Sequence, residues 1–423
     1  MGHQIEEKRK VGSSIYIAIV CFLTYACVYA FRKPFTIGLY VNEPSYLGVD
    51  FKNILVISQV LGYALSKIYG IKFVSELGKL GRCRSILILI GISWIPLIFF
   101  PYIPAPFNFI CFFINGFPLG IIWGIIFSYV EGRKGTDFIG ATLAVSFIVS
   151  SGVVKSVAKW LQLTYSITDK WIPFITGLVF LLPLVLLIYL LEKVSDPSEE
   201  EKKLKAPRSP MSKNERAHFF YQFRFGLIAF IVIYIMLTLF RDLRDNYAAD
   251  IWANLGYNNA AMFTNTELPI AIVILAIIAS MVFVKNNRWA FLMSQIAIII
   301  GFFIAGVSTY FFQQHIITGY SWMLLVGLGL YMGYIPFNSI LFDRMIATFR
   351  LKGNVGFLMY LMDSFGYLAS VAVIVLKNAM HVKLNWATFY SDGVLVVSIA
   401  GFILAIITMV YYIKKTKNIK YEQ

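Results

Sequence analysis

Histidine and cysteine are scarce in this sequence, with four of each in 423 residues. The cysteines (Cys21, Cys27, Cys83, Cys111) sit in or beside apolar runs, with neither metal-ligand spacing nor the loop placement of a disulfide framework. The histidines (His3, His218, His315, His381) fall at termini or in stretches read as loops, so no span offers an imidazole proton relay. Charge is also short, at 14% of residues against 59% hydrophobic, and the mean hydropathy is +0.73. That balance excludes a soluble domain. The alternation of a membrane barrel strand is missing too. No small-residue cleavage site follows the first apolar run, so no cleavable signal peptide is expected. Glu6 stands where a myristoylation signal needs Ser or Thr. No nucleophile–base pair, Gly-rich phosphate loop or metal cluster stands out, so neither an enzyme nor a cofactor is expected.

Apolar runs of about 20 residues recur along the whole chain, the length a helix needs to cross a bilayer. Twelve spans are expected, at about 15–38, 51–75, 84–103, 107–130, 138–161, 171–192, 221–248, 263–284, 289–312, 318–343, 354–377 and 389–413. The fold class is therefore an all-α polytopic membrane protein. The net charge of +15 would suit nucleic acid, but its placement argues otherwise. With both termini on one side, 26 of the 37 basic residues gather there, four (Lys52, Lys170, Lys377, Lys383) lie opposite, and seven fall within spans. This is the positive-inside pattern, so the basicity sets topology and both termini are expected to be cytoplasmic.

The longest polar stretch, from Glu192 through Lys193 to Ala217, is charged and Pro-bearing and reads as a cytoplasmic linker. It divides the chain into residues 1–192, a linker at 193–220, and residues 221–423. Six spans, a linker and six spans is the major facilitator plan of two six-helix bundles. Short internal matches fall at corresponding spans: 115–140 with 326–356, and 23–35 with 234–246, which sets Phe31-Arg32 against Phe240-Arg241. Gly116, Pro118, Gly120, Gly124, Gly333 and Pro336 permit close helix approach or bending.

Charged groups within spans are costly unless they face a wet cavity, a partner or an anionic ligand. The basic ones are Arg32, Lys33, Lys67, Lys155, Lys159, Arg241 and Arg244; the acidic ones are Asp242, Asp245, Asp250, Asp363 and Glu267. Lys33, next to Pro34 at the end of the first span, reads as a headgroup anchor. Arg32 and Arg241, one from each half, offer forked donors suited to a carboxylate or phosphate. Internal neutralisation by Asp242 or Asp245 explains Arg241 and Arg244 equally well. Lys159 fits snorkelling, whereas Lys155 and Asp363 fit either coupling to a proton or a salt-bridge role. Tyr25, Tyr29, Tyr63, Asn115, Trp123, Tyr331, Tyr334 and Asn338 are candidates to line a cavity, with packing as the alternative.

At these residues the sequence resembles the organophosphate:phosphate antiporter branch of the major facilitator superfamily. The likeness rests on Tyr29-Ala30-Phe31-Arg32-Lys33-Pro34-Phe35, on Tyr63 with Ser66-Lys67 and Gly70, on Asn115-Gly116 with Gly120 and Trp123, and on Arg241/Arg244 with Asp250-Ile251-Trp252. The resemblance implies that Arg32 and Arg241 (or Arg244) hold a substrate phosphate and that Lys67 adds positive charge. It also implies a gating loop after span 2, carried by Gly70, Glu76, Gly81, Arg82 and Arg84. The branch's span-5 histidine has no counterpart in residues 140–155. The expectation is a monomeric secondary transporter of a small anionic solute in a bacterial inner membrane, with alternating access coupled to protons or inorganic phosphate. The rivals are a proton-coupled symporter of a carboxylate or amino-sugar solute, and a transporter-like sensor of organophosphates. The lipid bilayer is the one macroscopic partner, and no nucleic acid is expected.

Overall fold

A computed structural model describes residues 2–75, 81–130, 136–194, 213–349, 355–379 and 385–419. The ordered elements among them are helices: α1 (Gly2–Tyr29), α2 (Phe51–Ser75), α3 (Arg82–Trp94), α4 (Pro96–Phe99), α5 (Phe109–Phe127), α6 (Thr136–Tyr165) and α7 (Ile172–Glu192). The remaining helices are α8 (Lys213–Asn246), α9 (Ala248–Asn254), α10 (Met262–Val282), α11 (Asn287–Gln313), α12 (Gly319–Ser339), α13 (Leu341–Phe349), α14 (Val355–Ala379) and α15 (Trp386–Ile419). Eight stretches in these helices are long and apolar enough to cross a membrane, and three more carry shorter apolar segments, at Ile15–Tyr29, Phe51–Ser66 and Met362–Leu376.

Several expected spans are interrupted. The first helix stops at Tyr29 rather than continuing to residue 38, so Arg32 and Lys33 lie in a turn beyond it, not inside it. The cause is Pro34, which opens a 3-10 turn (Pro34–Ile37) and has no N–H with which to extend the ladder. Span 3 breaks at Ile95, just before Pro96, and span 10 breaks at Ile340 between α12 and α13. Asp250 is not in span 7: α8 ends at Asn246 and Asp250 stands on α9. His218, read as a loop residue, lies within α8.

The chain divides into two compact units. The first comprises Met1–Lys205, Asn246–Leu268 and Val371–Lys383, and the second Ala206–Asp245, Pro269–Ser370 and Leu384–Gln423. In the first unit α2 packs tightly on α5 because glycines remove the side chains between them. A Cβ on Gly116 would sit 2.3 Å from the Gln59 carbonyl oxygen, and one on Gly120 would sit 1.8 Å from Ser66 Oγ. In the second unit α11 meets α12 in the same way, with Gly301 and Gly329 each against the other's carbonyl.

Candidate functional site

The first unit builds its charged region around the break after α1. Pro34 leaves the Phe31 and Arg32 carbonyls without the partners a continuing helix would supply, and two side chains replace them. Asn115 Nδ2 on α5 donates to Phe31 O at 2.8 Å, and Gln59 Nε2 on α2 donates to Arg32 O at 2.9 Å. The same Gln59 amide reaches Asn115 Oδ1 at 2.7 Å, and Asn115 Nδ2 also donates to Ser93 O at 2.8 Å. Asn115 is fully buried. Its expected place on a cavity wall gives way to a fastening role, with its amide committed to backbone and to Gln59.

Held at its carbonyl, Arg32 lays its guanidinium over the Tyr63 ring, 3.9 Å from the centroid, with Tyr29 at 5.9 Å. Both rings are buried. Tyr25 joins Tyr29 to Trp123, with centroids 5.4 and 4.8 Å apart. A guanidinium on a desolvated ring is stabilised by about 2 kcal/mol while its edge donors stay directed outward for a planar anion. Lys67 stands four residues beyond Tyr63 on α2, with Gly70 further along; their side chains lie outside the described parts of the structure.

Lys33 is not a headgroup anchor. It is buried and its ammonium donates to Asn246 Oδ1 at 2.8 Å. Lys52, counted as a cation on the non-cytoplasmic side, is also buried, bonding Thr36 O at 2.8 Å and Asp250 Oδ2 at 2.6 Å. Tyr247 donates to Asn53 beside it. Nearby, Tyr40 N donates to Asp169 at 2.8 Å, and burial, reinforced by Asp169 and Glu43, pushes the Tyr40 phenol well above its usual range. Lys155 is buried on α6, one turn from Gly152, where a Cβ would lie 2.7 Å from Glu267 Cβ. Lys159 donates to Gln162 at 3.0 Å.

In the second unit the two arginines separate by role. Arg244 is buried, and its Nε and Nη2 donate to Met323 O at 3.3 and 3.0 Å. Gly327 makes room for it, since a Cβ there would lie 2.6 Å from Arg244 Cζ. Arg244 thus braces α8 against α12. Arg241 instead lies over the Tyr334 ring at 4.0 Å and bridges Asp242 at 2.6 Å. Asp242 also accepts from Ser370 at 3.3 Å. Asp363 on α14 accepts from the Tyr234 hydroxyl, which lies 3.2 Å from the Tyr334 hydroxyl, and Asn338 Nδ2 is 3.4 Å from the Tyr234 oxygen. Arg241, Tyr334 and Asp363 therefore belong to one connected cluster. Sequence reasoning passed over Tyr234 and Gln59. Tyr234 could have been found seven residues before Arg241, on the same face of one helix.

Of the gating loop, Gly81 opens α3 with φ +74°, Arg82 lies 4.7 Å over the Tyr129 ring, and Arg84 is exposed. Glu76 falls outside the described residues.

The family described as "Family of unknown function (DUF5690)" matches residues 34–415. No sequence among curated proteins is significantly similar to this one. Among solved structures, the nucleoside transporter NupG aligns with a TM-score of 0.62 at 15% identity, covering 94% of this chain and 99% of that one. A D-xylose–proton symporter aligns with a TM-score of 0.57 at 14% identity, covering 94% of this chain and 97% of that one. The fold is the major facilitator fold, and the protein is an integral membrane protein.

Proposed function

This chain belongs to the DUF5690 family of unknown function, and on that premise we propose that it is a secondary transporter of a small organic anion, an organophosphate or phosphate. The observation that carries the reading is the matched placement of two arginines. Arg32 rests on buried Tyr63 in the first unit and Arg241 on buried Tyr334 in the second. A guanidinium at membrane depth costs several kcal/mol unless function retains it, and a ring-stacked fork suits an anionic oxygen group. Arg32 and Arg241, with Lys67, supply the positive charge. Asp242 holds Arg241 in its resting state and yields it to the solute. Alternating access, in which the two inward- and outward-facing states bind the solute differently, drives the cycle.

A proton-coupled symporter of a carboxylate or amino-sugar solute is the second reading. The Asp363–Tyr234 contact favours it, and the D-xylose–proton symporter likeness agrees with proton coupling in this fold. The test is a thermal-shift screen of purified protein against inorganic phosphate, glycerol-3-phosphate, sugar phosphates and dicarboxylates. Phosphate esters are expected to raise the wild-type midpoint and to lose that effect in Arg32→Ala, whose unliganded midpoint stays close to wild type. Equal stabilisation of Arg32→Ala would overturn the site. Labelled-solute counterflow in proteoliposomes then separates a transporter, which exchanges, from a sensor, which only binds.

A further inference from the structure

We infer that Tyr234 and Tyr334 form a two-hydroxyl bridge through which the protonation state of Asp363 sets the hold of Tyr334 on Arg241. The inference deepens the transporter reading and rests on it. Its basis is a chain of contacts inside the second unit. The Tyr234 hydroxyl donates to Asp363, lies 3.2 Å from the Tyr334 hydroxyl, and the Tyr334 ring lies 4.0 Å beneath the Arg241 guanidinium. The two tyrosine rings stack at 5.3 Å and 30°. Both are buried, Tyr234 at 1% exposure, so water does not substitute for either hydroxyl at those contacts.

A phenol has one proton to give and can accept others. With Asp363 ionised, that proton of Tyr234 goes to the carboxylate. The bond between the hydroxyls is then filled by the Tyr334 proton. Both hydroxyls point toward Asp363, which polarises the Tyr334 ring and strengthens its attraction for the guanidinium. When Asp363 takes a proton from the aqueous phase it becomes a donor. It then donates to Tyr234, Tyr234 donates to Tyr334, and the Tyr334 hydrogen turns away. The proton stays on Asp363 and no proton passes along the tyrosines; only the direction of the bonds reverses. The ring loses polarisation, and Arg241 is freed toward the solute.

The groups facing this chain are Tyr234 on α8, Tyr334 and Asn338 on α12, and Tyr367 on the helix of Asp363 itself. Arg241 is faced by Asp242, Tyr331, Tyr334 and Tyr367. Tyr234 and Tyr334 are positioning residues here, since neither needs to touch the solute to act.

The experiment measures binding of inorganic phosphate to full-length purified protein across mildly acidic to mildly alkaline pH, in wild type, Tyr234→Phe, Asp363→Asn and Arg241→Ala. Phosphate's own titration is common to all four and cancels in the comparison. Wild type is expected to bind several-fold more tightly at acid pH than Asp363→Asn predicts from phosphate titration alone. Tyr234→Phe, which keeps the ring and its packing, is expected to bind with the flat profile of Asp363→Asn. A Tyr234→Phe profile identical to wild type would overturn the bridge while leaving the transporter reading standing. Wild-type binding by Arg241→Ala would instead overturn the role given to that arginine, and the bridge with it. Should Tyr234→Phe fail to fold, Tyr334→Phe cuts the same chain from the other side and carries the same two outcomes.

Discussion

At the scale of single residues, Asn115 shows what a sequence states and what it withholds. A lone amide in an apolar helix is visible as a costly group that must be satisfied. Which carbonyl it satisfies is not visible, because that depends on the break Pro34 makes 81 positions earlier in the chain. The amide therefore read as a ligand-facing group, whereas it fastens the turn that carries Arg32. Gln59 was silent for the same reason: its partners, Arg32 O and Asn115 Oδ1, are set by tertiary contact alone. Arg32 itself was legible, because a cation in such a run needs a cause. Asn115→Leu keeps the volume roughly but removes donors from the Phe31 and Ser93 carbonyls and the acceptor from Gln59. An unsatisfied buried group costs about 1–3 kcal/mol, so the variant is expected to unfold at a clearly lower temperature in detergent. An unchanged midpoint would show that the amide is not structural.

At the scale of elements, the segment around the first break is bolted to the end of α8 and to α9. Lys52 at the start of α2 bonds both Thr36 O of the 3-10 turn and Asp250 of α9, and Lys33 reaches Asn246 at the end of α8. The sequence showed these charges as separate facts, two near a helix end, one in a loop and one within a span. Pairing across about 200 positions has no periodicity to reveal it. Lys52→Ala would leave Asp250 buried without its ammonium, and removing one partner of a buried pair costs about 3–5 kcal/mol. Replacing both, as Lys52→Met with Asp250→Leu, removes the stranded charge and is expected to recover most of that loss. Thermal midpoints of the two single variants and the double variant decide it. Simple additivity of the singles would mean that the pair contributes nothing as a pair.

At the scale of the whole molecule, hydropathy carried the plan of spans, and the departures from it mark where charge and polarity were needed. The helices whose apolar segments fall short are α1, α2 and α14, which carry or lead into Tyr29 and Arg32, Tyr63 and Lys67, and Asp363. The orientation rests on charge, and the structure sharpens that argument. Of the four basic residues on the sparse side, Lys52 bridges Asp250 and Lys170 bridges Glu43, each at 2.6 Å. Ion pairing leaves those two little net pull on the membrane interface, so the asymmetry favouring the side of the termini exceeds the sequence count. The proposed orientation, with both termini cytoplasmic in a bacterial inner membrane, therefore has a direct test. A fluorescent reporter that folds only in the cytoplasm, fused after Gln423, is expected to be bright, and a secreted-phosphatase reporter at the same point to be inactive. Fused after Gly256, in the turn beyond α9, the pair is expected to reverse. Phosphatase activity at the C-terminus would invert the molecule and with it the direction assigned to every charged loop.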